Sequence, residues 1–112
     1  MTSPEQAVRI TYQLSGDGYG DPDERAAILD LKYRLIDAVE AGEAGEAGEA
    51  GEVDGTEFGA GKAEIFTYGP DARRLFAVME PELRAFPNRP ALALLRFGEP
   101  DDPSAAEERI EL

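Results

Sequence analysis

Cysteine and histidine are both absent from this 112-residue chain. The first absence removes disulfides and thiolate nucleophiles; the second removes imidazole bases, and together they remove the usual zinc ligands. A chain without cysteine agrees with a reducing compartment. Basic residues are scarce: eleven Lys and Arg stand against 24 Asp and Glu, a net charge of −13 at pH 7. Affinity for nucleic acid comes mainly from Lys and Arg neutralising phosphates, so nucleic acid is disfavoured as a partner, and an anionic membrane surface with it. Long apolar runs are lacking as well. Ala91 to Leu95 falls far short of the roughly 20 residues that cross a bilayer, and Met1-Thr2-Ser3-Pro4-Glu5-Gln6 has neither the basic region nor the apolar stretch of a signal peptide. The expectation is a cytoplasmic, non-spanning protein, with residues 1–112 forming one domain.

The one internal repeat runs from Glu40 to Glu52, Glu-Ala-Gly four times and then Glu. Each of Gly42, Gly45, Gly48 and Gly51 opposes helix by about 1 kcal/mol relative to Ala, and glutamates three apart crowd like charges on one helical side. A flexible, solvated loop over 40–52 follows. Without its five glutamates the chain still carries a net −8, so acidity belongs partly to the repeat and partly to the domain.

Ahead of the repeat, Val8, Ile10, Tyr12 and Leu14 alternate with polar residues, the period of a half-buried strand. Asp21, Pro22 and Glu24 together spell a helix start with a capping box. Ile28, Leu31, Leu35 and Val39, with Leu29 and Ile36 beside them, then give an amphipathic stripe that ends where the repeat begins. Beyond the repeat, Val53 to Phe58 and Lys62 to Tyr68 read as a strand pair. Gly55 marks a bulge, and Gly59 and Gly61 supply positive φ angles in the turn. Gly69-Pro70-Asp71 opens a second helix with Pro at its first position, carrying Ala72, Leu75, Phe76, Met79, Leu83 and Phe86 at helical spacing; Pro81 predicts a kink or restart near Glu80. Pro87 and Pro90 bracket the exit. Ala91 to Phe97 suits a strand covered on both sides or nearly so, and Glu108, Ile110 and Leu112 alternate as a last strand antiparallel to it. The fold class is α+β. The order β-α-β-β-α-β is the ferredoxin-like, split βαβ plan, two helices on one face of an antiparallel sheet, with an added C-terminal strand.

Candidate chemistry is thin. Gly59-Ala60-Gly61-Lys62 lacks the upstream glycine and the Ser or Thr of a phosphate loop and lies between strands, so it reads as a hairpin. Asp17, Asp21, Asp23 and Glu24, and separately Asp101 and Asp102, crowd carboxylates as calcium ligands would, but without EF-hand spacing; no metal and no cofactor is assigned. Carboxylate pairs such as Asp54 and Glu57, or Tyr68 as an acid, are uninformative without a cleft, and no serine neighbours a base, so the reading is non-enzymatic. Phe66 and Tyr68, with Lys62 upstream, have the alternation of an RNA-stacking strand without its glycine and basic flanks. Their outward placement on an open sheet face instead suggests a protein interface or a shallow ligand site.

The stretch Val53-Asp54-Gly55-Thr56-Glu57-Phe58-Gly59-Ala60-Gly61, with Ile65-Phe66-Thr67-Tyr68-Gly69-Pro70-Asp71-Ala72 and Leu75-Phe76, resembles a group of small uncharacterised acidic bacterial proteins with an Asp-Gly-x-x-Phe-Gly-x-Gly hairpin. The resemblance spans most of residues 8–98, with its specific letters in 53–76; the Glu-Ala-Gly tract departs from it. It implies a ferredoxin-like fold and carries no activity. Nine Arg to two Lys also fits a high-GC bacterial source.

The functional expectation is a protein-interaction or regulatory domain, of immunity type or similar, binding a basic protein partner through complementary charge. Its candidate surface is Asp54, Glu57, Phe58, Phe66 and Tyr68. The alternative is a small-ligand sensory domain that forms a homodimer through its sheet.

Overall fold

The computed structural model describes residues 6–16, 18–44, 51–86, 91–98 and 103–112, excluding the side chains of residues 43 and 44. Asp17, the central part of the repeat, Pro87, Pro90, Asp101 and Asp102 therefore lie outside the described residues. In chain order the elements are β1 (Gln6–Gln13), α1 (Pro22–Ala44), β2 (Glu52–Gly59), β3 (Lys62–Gly69), α2 (Ala72–Ala85), β4 (Ala91–Arg96) and β5 (Glu107–Glu111).

The strands form one five-stranded sheet in the order β2-β3-β1-β4-β5, with every neighbouring pair antiparallel. The C-terminal strand extends the sheet beyond four strands, so the order is not that of a simple ferredoxin sheet. Period-two alternation decides which side chains meet the helices. Val8, Ile10 and Tyr12 of β1, Ala63 and Ile65 of β3, and Ala93 and Leu95 of β4 are buried in one core with both helices. From α1 the core takes Ile28, Leu31, Leu35 and Val39; from α2 it takes Ala72, Leu75, Phe76, Met79 and Leu83. Each fully buried Leu or Ile contributes roughly 1.5–3 kcal/mol. Leu29, one position off the α1 stripe, is 41% exposed, against its expected place beside the core.

The central strand also supplies polar ties. Thr67, the one buried polar side chain among the described residues, donates from Oγ1 to the Val8 carbonyl at 2.7 Å. The Tyr12 hydroxyl donates to the Leu83 carbonyl at 3.3 Å, and its ring meets Phe86 edge-on with centroids 4.9 Å apart. Gln6 accepts at Oε1 from the Ala72 amide, while Asp71 Oδ1 accepts from Arg73 and Arg74. Asp71 is thus the N-cap of α2, and Pro70 lies ahead of the helix rather than at its first position.

Three local expectations are corrected. First, α1 does not stop at the repeat; it runs on to Ala44 through Gly42. A Cβ at Gly42 would stand 2.7 Å from Val78 Cγ1 and 3.1 Å from Val78 Cβ, so the bare glycine lets α2 approach α1, and that packing offsets the poor helix propensity. Second, α2 does not restart at Pro81: it is one helix to Ala85, with the proline ring exposed, Met79 and Leu83 buried on either side of it, and Arg84 Nε paired to Glu80 at 2.7 Å. Third, the hairpin turn places its positive φ angles at Ala60 (52°) and Gly61 (74°), not at Gly59, as a two-residue turn between right-twisted strands requires.

Gly51, the last glycine of the repeat, has φ 148°, and a Cβ there would stand 2.3 Å from the Tyr68 carbonyl oxygen. Replacing a helical glycine by alanine ordinarily stabilises by about 1 kcal/mol. Here Gly42→Ala is expected to lower stability instead, by about 1 kcal/mol, because Val78 is β-branched and cannot swing clear; Gly51→Ala should cost about 2–3 kcal/mol. Urea or thermal unfolding of both variants checks this, and a stabilised Gly42→Ala would show that the helices are not in contact there.

Candidate functional site

The sheet has one face under the helices and one free of them. Cross-strand register assigns the helix-free face in rows. Glu52, Tyr68, Ala7, Arg96 and Glu107 form the first row, and Gly55, Phe66, Arg9, Leu94 and Arg109 the second. Glu57, Glu64, Thr11, Leu92 and Glu111 form the third, followed by Lys62 beside Gln13.

Of the five residues expected to form one surface, the structure brings Glu57, Phe66 and Tyr68 to this face, with both aromatics half-buried. Phe58 is not among them. It pairs with Ala63 and packs against the core, because consecutive strand residues point to opposite faces. Asp54 falls in the bulge between Val53 and Gly55 and is exposed on the edge strand β2, where a bulge with flanking acids also blunts pairing with a foreign strand. Nor is β4 covered on both sides: Ala91, Ala93 and Leu95 are buried, whereas Leu92 and Leu94 are only half-buried on the helix-free face.

Charge is distributed unevenly. Among the described residues, four basic side chains (Arg9, Lys62, Arg96, Arg109) and five acidic ones (Glu52, Glu57, Glu64, Glu107, Glu111) sit on the helix-free face. That face carries −1 and the other described residues −5; adding Asp54 of the bulge only brings the face to −2. Arg9 Nε contacts Glu64 Oε2 at 3.3 Å across β1 and β3, which relieves the opposition of Glu64 to Glu57. Two shallow hollows open here on either side of Arg9. One, of about 160 Å³, is lined by Arg9, Phe66, Tyr68, Leu94, Arg96 and Glu107; the other, broad and polar, of about 640 Å³, lies over Thr11, Lys62, Glu64, Leu92, Arg109 and Glu111.

A second feature escaped the sequence reading. Among the described residues the exposed large hydrophobic ones are Tyr19, Leu29 and Tyr33 (65% exposed), and the last two lie one turn apart on the outer side of α1. Exposed Asp30, Asp37 and Glu40 flank them, with Asp30 holding Arg34 Nη2 at 3.1 Å. The helical wheel carries the missing signal: position 33 lies roughly 200° from both Leu31 and Leu35, opposite the core stripe.

The acidic loop before α1 has work of its own. Asp21 Oδ1 accepts from the Glu24 amide at 2.8 Å and Glu24 Oε1 from the Asp21 amide at 2.9 Å, the reciprocal capping box read from the sequence. Glu24 accepts also from the Ser15 hydroxyl and amide. The Ser15 hydroxyl foremost, then the Asp21 amide, hold its carboxyl below the ordinary 4.5, against a smaller desolvation effect. Across the same corner the Gly61 amide donates to the Gly18 carbonyl and the Leu14 amide to the Gly61 carbonyl, both at 2.8 Å, so the Gly59-to-Lys62 turn is docked on the loop. At the opposite end Arg73 Nη1 reaches Glu108 at 2.8 Å and its guanidinium lies 5.0 Å from the Phe97 ring centre. Among the described residues no three acidic side chains are gathered closely enough to hold a metal ion, and no helix is long and apolar enough to cross a membrane.

Comparison with protein-family models, with curated proteins and with solved structures finds no match to this chain.

The lowered Glu24 carboxyl has a pH signature. Its ionised form is the one the fold favours, so its contribution is complete above the unfolded value near 4.5 and is lost as pH falls through the lower folded value. Glu24→Gln should lower Tm at neutral pH and narrow its gap to the parent protein on acidification below about pH 4.5. Melting curves of the two proteins between about pH 3 and about pH 7 read this directly; parallel curves would rule out the Glu24 contacts.

Proposed function

We propose that this chain is a small non-enzymatic interaction protein, a regulator or immunity-type inhibitor, that engages a basic protein partner through the acidic outer side of α1. The observation that carries the reading is the uneven placement of charge: among the described residues the helix-free face carries −1 and the remainder −5, with Asp30, Asp37 and Glu40 exposed along α1. A net-acidic surface accelerates encounter with a cationic partner and repels nucleic acid and anionic membrane. Tyr33 and Leu29 supply the apolar anchor that such a surface needs, since charge at a rim selects and steers while a desolvated aromatic holds. A cytoplasmic setting suits this reading and the absence of cysteine.

The ferredoxin-like description belongs to the same proposal. Strands β2-β3-β1-β4, with α1 linking β1 to β2 and α2 linking β3 to β4, support a split βαβ core to which β5 is added. The small-ligand alternative has the hollow beside Arg9, Arg96 and Tyr68 in its favour. Its volume of about 160 Å³ falls below the roughly 300 Å³ at which ligand pockets begin, and the larger hollow of about 640 Å³ is open and lined largely by charged and polar side chains rather than enclosed and apolar, so the interaction reading is preferred.

Affinity capture with the whole protein from a lysate of its source, at about 50 mM and about 300 mM salt, tests the proposal. A specific basic protein should be enriched, its recovery should fall at the higher salt, and Tyr33→Ala and Asp37→Asn should each weaken binding five- to thirtyfold, about 1–2 kcal/mol. Absence of an enriched partner, or a partner indifferent to both substitutions, would refute it.

A further inference from the structure

The two edges of the sheet are built differently. β2 is broken by the bulge between Val53 and Gly55 and carries acids, whereas β5 pairs with β4 without interruption from Glu107 to Glu111, and among the described residues no further strand lies outside it. The Phe97 amide donates to the Ala106 carbonyl at 2.9 Å and the Leu112 amide to the Ala91 carbonyl at 3.0 Å, so Ala106, Glu108, Ile110 and Leu112 turn their backbone groups toward β4. Glu107, Arg109 and Glu111 therefore point their amides and carbonyls outward. The side chains of the same three residues are exposed, alternate in sign and take part in no ion pair among the described residues.

Free backbone groups and unpaired charges of alternating sign thus coincide at three positions. We infer that the outer edge of β5 takes an extended segment of another protein as an added strand, antiparallel to β5, with basic residues opposite Glu107 and Glu111 and an acidic one opposite Arg109. Backbone hydrogen bonds supply the hold and the side-chain pairs the selection.

The register sets the rest of the segment. Read from its N-terminus it runs basic, apolar, acidic, polar, basic: its second residue lies opposite Ile110, which packs against the core, and its fourth opposite Glu108, which already holds Arg73. Residues directly opposite share a face, so the three charged side chains lie on the helix-free side and the apolar one continues the hydrophobic layer. A second copy of β5 meets the pattern poorly. Paired in full it sets Glu107 against Glu111 and Arg109 against Arg109, and a slide of two residues either way pairs only two of the three charged positions. The β2 edge of a second copy offers a bulge and acids. The site rests on nothing proposed for α1, and its occupant is recognised by the order of its charges rather than by their sum.

Titration of the isotope-labelled full chain with the capped peptide Val-Lys-Val-Glu-Thr-Lys-Thr, up to about 2 mM and followed by NMR, tests this edge. The amide signals of Glu107, Arg109 and Glu111 should move together, with a Kd of roughly 0.1–1 mM. Methyl groups on the backbone nitrogens of the peptide's lysines and glutamate should remove binding, whereas methyl groups on the valine and threonine that lie between those residues should leave it within about twofold, because those amides face away from β5. The reordered peptide Val-Glu-Val-Lys-Thr-Lys-Thr, of the same composition, should bind about three- to tenfold more weakly. Arg109→Pro, tolerated where an edge amide faces water, should remove binding with the far-UV circular dichroism unchanged, and Tyr33→Ala should have no effect. Unmoved amides at the highest peptide concentration, equal loss from either set of methyl groups, or equal affinity for the two orders overturns the inference. Movement of the same amides when the protein alone is concentrated assigns the edge to a second copy and overturns it as well. None of these results bears on partner capture through α1.

Discussion

Everything in this fold leans on β1. It is the only strand that joins two halves of the sheet, hydrogen-bonded to β3 on one side and β4 on the other. It is also where the sheet is tied to α2. Its first residue, Gln6, caps α2; its Val8 carbonyl takes the Thr67 hydroxyl; and Tyr12 reaches past the core to the last turn of α2. A slip of one residue in either ladder would turn Val8, Ile10 and Tyr12 outward and carry Arg9 and Thr11 beneath the helices, so register is enforced by the full free energy of the core. The same register sorts charge, because the residues that alternate with the buried ones in every strand are those that make up the nearly neutral face.

Much of this was readable in the residues themselves. The alternation from Val8 to Leu14, the stripe Ile28-Leu31-Leu35-Val39 and the capping box at Asp21 and Glu24 each rest on contacts short in sequence, and each stands where local spacing puts it. What local spacing could not supply was contact between distant segments. Gly42 looks like a helix breaker until Val78 is beside it, and Pro81 looks like a break until Met79 and Leu83 anchor the turns around it. Phe58 was grouped with Glu57 as though a strand had one side; the pairing with Ala63 separates them. Tyr33 was overlooked because attention followed the stripe that the helix buries, whereas the outer side carries the exposed aromatic.

The clusters of acids, conspicuous in the sequence, divide by employment. Asp21, Glu24 and Asp71 satisfy helix N-termini, and Glu64, Glu80 and Glu108 hold arginines. Carboxylates so engaged are structural, and the lowered Glu24 carboxyl expresses a cap rather than a proton donor. Asp37 and Glu40, which have no such duty, stand exposed toward the C-terminal end of α1 and add negative potential to that end of the longest helix.

Gly42 and Gly51 bound the repeat, one seated against Val78 and the other against the Tyr68 carbonyl. Each is the last letter of a Glu-Ala-Gly unit, and the step from one to the other is nine positions, three whole units. Gain or loss of a complete unit would leave a glycine at both seats and the phase of β2 unchanged, while a change of one or two residues would put alanine or glutamate where no Cβ fits. The chain between the seats can thus lengthen in steps of three, each step adding one negative charge and only a fraction of a kcal/mol in loop closure. The fold tolerates drift in the size of this segment as long as the drift keeps time with the triplet.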